Sequence, residues 1–154
     1  MISRPDFVVT AADGRPLAAV EAYALPVADP AAMRRHYLRT APSARFSLFF
    51  LLVGKDRTFV WTCDRPDDAS PDFCGDTRSA LAPYVDERWI GFDDLRGPVF
   101  EMFVSSWLSA LTRPDLPSDY LRAQPWLVRS GLYEMMRGAE VEMHGGSPSL
   151  SRAA

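Results

Sequence analysis

The chain has 154 residues, of which 47% are hydrophobic, and a formal net charge of −3. This length suits a single domain, which we expect over residues 1–144, followed by a disordered tail over residues 145–154. The longest apolar run, residues 46–53, is too short to cross a bilayer, and the first residues lack the apolar core of a secretory signal. We therefore expect a cytoplasmic protein that does not enter a membrane.

The cysteines and the charge pattern argue against two common kinds of site. Cys63 and Cys74 are the only cysteines, with no CxxC pair and no histidine nearby. A zinc site needs more ligands at closer spacing, so we expect free, partly buried thiols. Lys55 is the only lysine, and no basic stripe offsets the acidic balance. This pattern argues against binding that depends on phosphate neutralisation.

The first predicted element is a β-hairpin over residues 5–24. Two apolar runs flank an Asp-Gly dipeptide, which is typical of tight hairpin turns. Asp6 opens the first strand, and Glu21 lies deep in the second. Because side chains alternate along a strand, Glu21 and Tyr23 point to one face of the hairpin and Ala22 to the other.

The segments after the hairpin predict a mixed sheet with helices around it. Asp29 can cap a helix that starts at Pro30 and runs to about Thr40. Strands 17–24 and 46–53 are then joined by a right-handed crossover through this helix, which predicts an α/β (α+β) fold. The remaining predictions are a strand at 58–63, a loop at 64–75, helices at 76–85, 98–111 and 125–136, and an edge strand at 139–144.

The aromatic residues mostly predict a core. Their apolar surroundings favour packing over a base-stacking platform. Trp89 and Trp126 are less clearly internal, and either could anchor a partner surface, where tryptophan is enriched. The residues assigned to the core are Phe49, Phe50, Trp61, Phe100, Phe103 and Trp107.

The hairpin and the later segments resemble prokaryotic domains of the PD-(D/E)XK, or restriction-endonuclease-like, superfamily. The pattern there is Pro-Asp, a hairpin and then Glu-X-Lys, and this chain has Pro5-Asp6, a hairpin and then Glu21-Ala22-Tyr23. The resemblance covers most of residues 4–144. Four later segments also resemble these domains: FFLLVGKDRTFVW, DTRSALAPYVDE, SSWLSALTRPD and WLVRSGLYEMMRGAEV. It implies a restriction-endonuclease-like mixed central sheet flanked by helices, with a helical C-terminal half.

The resemblance also implies a Mg²⁺-dependent phosphodiesterase site. Asp6 and Glu21 correspond to its metal-binding carboxylates, and the backbone carbonyl of Ala22 is a further ligand. The motif lysine would stabilise charge on the attacking water or on the phosphate, and Tyr23 stands at its position. A tyrosine hydroxyl donates a hydrogen bond at neutral pH but carries no positive charge.

Two further points bear on activity. Many active relatives carry another acidic residue on a helix before the aspartate strand, and we expect that residue to be missing here, since few residues precede Asp6. Arg35 or His36, on the helix after the glutamate strand, could reach back and replace the lysine, although a solvated helix face is the simpler and favoured explanation of both residues. Lys55 lies in a turn that the resemblance places far from the site.

Three functions therefore remain open. The first, which we expect, is a degenerate nuclease-like domain kept for binding nucleic acid or a protein partner, or for assembly. The second is an active nuclease that uses Mg²⁺ with Asp6 and Glu21. The third is a homo-oligomeric structural module, suggested by the aromatic-rich and methionine-rich C-terminal half. In the first case we expect one of two arrangements. Either repulsion between the two carboxylates raises the pKa of one of them, or Glu21 forms an ion pair with Arg4 or Arg35.

Overall fold

The computed structural model describes residues 3–144, so the tail predicted at residues 145–154 lies outside the described part. The described strands are β1 (Phe7–Thr10), β2 (Pro16–Tyr23), β3 (Phe49–Gly54), β4 (Arg57–Thr62), β5 (Phe73–Asp76) and β6 (Glu140–Met143). The described α-helices are α1 (Pro30–Thr40), α2 (Thr77–Leu81), α3 (Gly97–Leu111), α4 (Ser118–Ala123), α5 (Pro125–Arg129) and α6 (Leu132–Met136). Short 3₁₀ turns lie at Pro42–Phe46, Ala82–Tyr84 and Phe92–Asp94.

The strands form one mixed sheet in the order β5-β4-β3-β2-β1-β6. Strands β2 and β3 are parallel and are joined through α1, and every other neighbouring pair is antiparallel. This arrangement confirms the mixed α/β class, the two hairpins and the edge strand near the C-terminus. Within residues 3–144, every helix is too short or too polar to cross a lipid bilayer.

Helices pack on both faces of the sheet and create two apolar clusters. On the α1 face, Leu38 of α1 packs on alternate residues of the strands, which include Phe50 and Trp61. On the α3 face, the larger cluster joins Phe7 and Leu51 of the sheet to residues of the C-terminal helices. Those helical residues include Phe100, Val104, Trp107, Leu108, Leu111, Trp126 and Leu127.

The predicted helix over residues 125–136 is wrong, because the structure divides it into α5 and α6. Gly131 separates the two with φ of +83°, a backbone conformation that glycine adopts without steric cost and that no helix interior contains. The loop predicted over residues 64–75 ends early, since residues 73–76 pair with β4 as the edge strand β5. Helix α4 was not predicted, and the helix predicted over 76–85 ends as a 3₁₀ turn that contains Pro83.

The tryptophan and cysteine predictions have mixed outcomes. Trp126 is buried, whereas the side chain of Trp89 is 88% exposed and remains the tryptophan that could contact a partner. Cys63 and Cys74 are free and exposed, so the expectation of partly buried thiols is wrong. The assignment of six aromatic residues to the core is confirmed, with Phe103 half-buried against it.

Candidate functional site

The register of the first hairpin brings Asp6 and Glu21 together. Phe7 of β1 pairs with Val20 of the antiparallel strand β2, so Asp6, the residue before Phe7, lies opposite Glu21, the residue after Val20. The backbone N–H of Asp6 donates to Glu21 Oε1 at 3.0 Å. In return, the backbone N–H of Ala22 donates to Asp6 Oδ2 at 2.9 Å. The two carboxyl groups are therefore held by the backbone of the adjacent strand.

The surroundings of Glu21 favour the protonated form of its carboxyl group. The residue is only 4% exposed to solvent. Burial raises the pKa of Glu21 from its usual value near 4.5 to about 9, and the negative charge of Asp6 adds to the shift. The Asp6 N–H acts in the opposite direction, and the charge of Glu101 on α3 contributes further to the rise. Glu21 consequently holds a proton at neutral pH.

Two tyrosines complete the surroundings of the carboxyl pair. Tyr23 follows Glu21 on the same face of β2, and Tyr37 projects from α1 towards that face. Burial raises the pKa of Tyr37, and the nearby acidic groups of Glu21, Asp6 and Tyr23 raise it further. Tyr37 therefore stays neutral at physiological pH and provides a hydroxyl group without charge.

The expected arginine partners of Glu21 do not reach it. Among residues 3–144, no arginine, lysine or histidine lies within ion-pair distance of Glu21. Arg4 instead places its Nη1 3.4 Å from Nδ1 of His144. Arg35 is exposed on α1. Glu21 is thus a neutral, buried acid and not half of a structural ion pair.

The two candidates for a replacement cation, Arg35 and His36, face different sides of α1. His36 lines a groove of about 530 Å³ whose walls also include Tyr23 and Tyr37. Arg35 does not line this groove. The structure therefore brings His36 and Tyr23 to the same groove and leaves Arg35 on the outer surface of the helix.

Lys55 lies closer to the site than the sequence suggested. Because β2 and β3 are parallel, the turn after β3 lies at the same end of the sheet as Tyr23, and the Lys55 N–H donates to the Leu25 carbonyl. The expectation that this turn is distant is wrong. The ammonium group nevertheless points elsewhere, since Nζ donates to the carbonyl of Leu95 at 2.6 Å.

The oxygen atoms around Asp6 suit a hard divalent cation. Asp6 and Glu21 offer two carboxyl groups, and the Ala22 carbonyl is directed to the same side of β2 as the Ala22 N–H that binds Asp6. Mg²⁺ commonly takes one or two carboxylates and keeps several waters. Within residues 3–144, no group of three or more His, Cys, Asp or Glu side chains is placed to hold a metal. The donor set is compatible with Mg²⁺ at a site of few protein ligands.

Three residues of this region were not identified from the sequence. Tyr37 had a usable signal, because it lies on the inward face of the helix that directly follows the glutamate strand. Glu101 and His144 had no local signal, since they approach through packing of distant segments. The backbone N–H of His144 donates to the carbonyl of Asp6 at 2.9 Å, next to the β1–β6 pairing.

Comparisons of the chain with protein-family models, with curated proteins and with solved structures found no match. The fold and the site together define a mixed α/β protein in which the buried Glu21 lies beside the half-buried Asp6 at one end of the first hairpin. Its function must be argued from that pair and its surroundings, because the fold class alone hosts many functions.

Proposed function

We propose that the protein is a restriction-endonuclease-like domain that retains the carboxyl pair, is impaired in catalysis and serves a binding role. A single observation carries the proposal. Glu21 is buried beside Asp6 and no cation of the described residues pairs with it, while Tyr23 stands where the resemblance expects the motif lysine.

The physical reason lies in the charge that phosphodiester hydrolysis creates. Negative charge grows on the phosphate and on the attacking oxygen, so a positive group fixed in advance lowers the barrier. Tyr23 and Tyr37 can donate hydrogen bonds but supply no positive charge. Loss of one such stabilising group typically costs about 10²–10³ in rate. Cleavage by this arrangement is therefore expected to be weak.

A Mg²⁺-dependent nuclease is the second candidate. It is favoured by the backbone hydrogen bonds that hold Asp6 and Glu21 side by side. If Mg²⁺ binds, Asp6, Glu21 and the Ala22 carbonyl would hold it, and the ion would supply a water activated for attack. Glu21 would have to release its proton on binding, so the affinity would rise with pH. His36 is then the residue best placed to assist.

A cleavage assay separates the two candidates. Single-stranded and double-stranded DNA and RNA are incubated with the protein under Mg²⁺ or Mn²⁺. We expect little cleavage by the natural chain and a gain of at least about tenfold for Tyr23→Lys, since a lysine there restores the missing charge. The Tyr133→Lys variant is the matched control, because Tyr133 is a half-buried tyrosine of α6 and no part of the carboxyl site.

The double variant Asp6→Ala, Glu21→Ala decides the outcome. Strong cleavage by the natural chain that disappears in this variant would contradict the proposal and support the second candidate. Cleavage that persists in the double variant would identify a contaminating nuclease. A gain in Tyr23→Lys that is lost on adding the double change would support the proposal.

A further inference from the structure

A groove next to the carboxyl pair has the features of a small-molecule site. It runs between the end of β2 and α1, and its volume of about 530 Å³ falls in the range of about 300–1,000 Å³ typical of ligand pockets. Tyr23 and Tyr37 belong both to this groove and to the surroundings of Glu21. A ligand in the groove would therefore lie beside the carboxyl pair without displacing it.

The walls of the groove suit a flat aromatic ligand. Tyr23, His36 and Tyr37 contribute three rings, and Met33 adds a polarisable thioether. The rings of His36 and Tyr37 lie edge to face, with centroids 5.7 Å apart and an angle of 61° between their planes. Aromatic side chains bind planar heterocycles by stacking and by edge contacts, without requiring a particular substituent pattern.

The charges along α1 give the groove two chemically different ends. Asp29 lies at one end, where Oδ1 accepts from the Ala32 N–H at 3.1 Å and Oδ2 is the second acceptor oxygen. His36 lies about 10 Å further along the helix, given a rise of about 1.5 Å per residue. Arg39 is exposed one helical turn beyond His36, and it forms no ion pair within residues 3–144.

Helix α1 is a local basic segment in an acidic protein. Residues 30–40 contain three arginines and a histidine and no acidic residue, although the whole chain has a net charge of −3. Arg34 is buried and donates to backbone carbonyls, and Arg35 lies outside the groove, which leaves Arg39 for a ligand at the His36 end. One guanidinium group matches a ligand with a single phosphate. It is too little for a polymer, whose binding depends on many neutralised phosphates.

We infer that this groove binds a free nucleotide. The base lies against Tyr23, His36 and Tyr37, with Asp29 accepting from its amino or hydroxyl groups, and the phosphate lies at the His36 end, within reach of Arg39. The inference rests on the binding role proposed above and names its ligand class. It does not depend on whether Asp6 and Glu21 can cleave a phosphodiester.

Isothermal titration of the full chain with AMP, GMP, UMP and CMP tests the inference, with the corresponding nucleosides as a second series. At least one nucleotide is expected to bind, and its nucleoside to bind at least about tenfold more weakly. Arg39→Ala should weaken the nucleotide by about tenfold, since a hydrogen bond between charged groups is lost. His36→Ala should weaken it by about threefold, through the lost ring contact. Arg129→Ala is the matched control and should leave binding unchanged.

Ala32→Phe tests the location, because a phenyl ring at this position fills the groove. Circular dichroism establishes that each variant is folded. The inference is overturned if none of the four nucleotides binds, if nucleosides bind equally well, or if Ala32→Phe leaves binding intact. Binding of single-stranded oligonucleotides without binding of any mononucleotide also overturns it. Strong cleavage of nucleic acid would remove the proposed function and leave the titration result standing, so the two failures are distinguishable.

Discussion

The two faces of the sheet bury polar side chains of different kinds. On the α3 face the buried polar groups are neutral and paired, as when Thr58 and Thr77 share a hydrogen bond of 2.8 Å between their hydroxyl groups. On the α1 face the structure buries two ionisable side chains, Glu21 and Arg34. The interior is therefore neutral on the α3 face and contains ionisable groups on the α1 face.

This difference indicates which face of the sheet serves stability and which carries residues kept for another role. Burial of an ionisable group is costly unless partners compensate for it, so an apolar residue of similar size is often as stable or more stable at such a position. The α3 face has the composition expected of a region selected for packing alone. On the α1 face, backbone carbonyls compensate for burial of Arg34, whereas Glu21 has no ion-pair partner among residues 3–144. The groove beside Tyr23 lies on the same face. Functional residues are therefore better sought on the α1 face.

The largest effect should come from the α3 face. Trp107 is fully buried, and its Nε1 donates to the Tyr120 hydroxyl at 2.8 Å. Trp107→Ala should reduce the free energy of unfolding by about 3–5 kcal/mol, because it leaves a large cavity in a closely packed region. Urea denaturation measures the change. The exposed Trp89 gives the control, since Trp89→Ala should change stability by less than about 0.5 kcal/mol. Similar losses in both variants would contradict the assignment of the core.

Arg34 tests whether the α1 face depends on its buried charge. The guanidinium donates to the carbonyls of Arg65, Pro66 and Asp67 and lies over the rings of Phe50 and Trp61. Arg34→Met keeps much of the volume but removes every donor, so we expect a loss of about 2–3 kcal/mol.

The loop that follows β4 should respond to the same change. Its carbonyls lose their donor in Arg34→Met, so limited proteolysis should cut residues 64–72 faster than in the natural chain. Arg35→Met is the matched control on the exposed side of α1 and should leave stability and cleavage unchanged. A variant Arg34→Met as stable as the natural chain would show that an apolar residue serves equally well, and the contrast between the two faces would be lost.

Local signals in the sequence accounted for the elements around the site. The Asp-Gly turn and the alternation of apolar residues predicted the β1–β2 hairpin, and its register places Asp6 next to Glu21. Asp29 predicted the start of α1, and its side chain indeed caps the helix by accepting from Ala32. The spacing of apolar residues predicted α3 to within one residue at its start. In each case the deciding interactions lie within a few residues of one another.

The remaining features depend on contacts between distant segments. β5 is a strand only because β4 supplies its hydrogen bonds, and its own four residues include Gly75 and Asp76, which disfavour strands. The position of His144 beside Asp6 requires β6 to pair with β1 across most of the chain. Burial of Glu21, which decides its protonation state, follows from packing of α1 and cannot be deduced from the hairpin alone.

The smallest effect expected concerns Glu21 and depends on pH. In the folded chain its pKa is raised to about 9, whereas in the unfolded chain it should be near the usual 4.5. Between these values the folded state keeps the proton that the unfolded state has lost, so this residue makes stability fall as the pH rises from 4.5 towards 9. Glutamine has no proton to lose. Its amide can still accept from the Asp6 N–H and donate to the Asp6 carboxylate.

Glu21→Gln should therefore be about 1–2 kcal/mol more stable than the natural chain at pH 8 and nearly equal to it at pH 4.5. Urea denaturation at a series of pH values measures the difference. Glu140→Gln, at an exposed position of β6, should follow the natural chain at every pH. A difference that does not change with pH would mean that Glu21 is charged in the folded protein. The α1 face would then bury an anion, and a cation would have to be sought beside it.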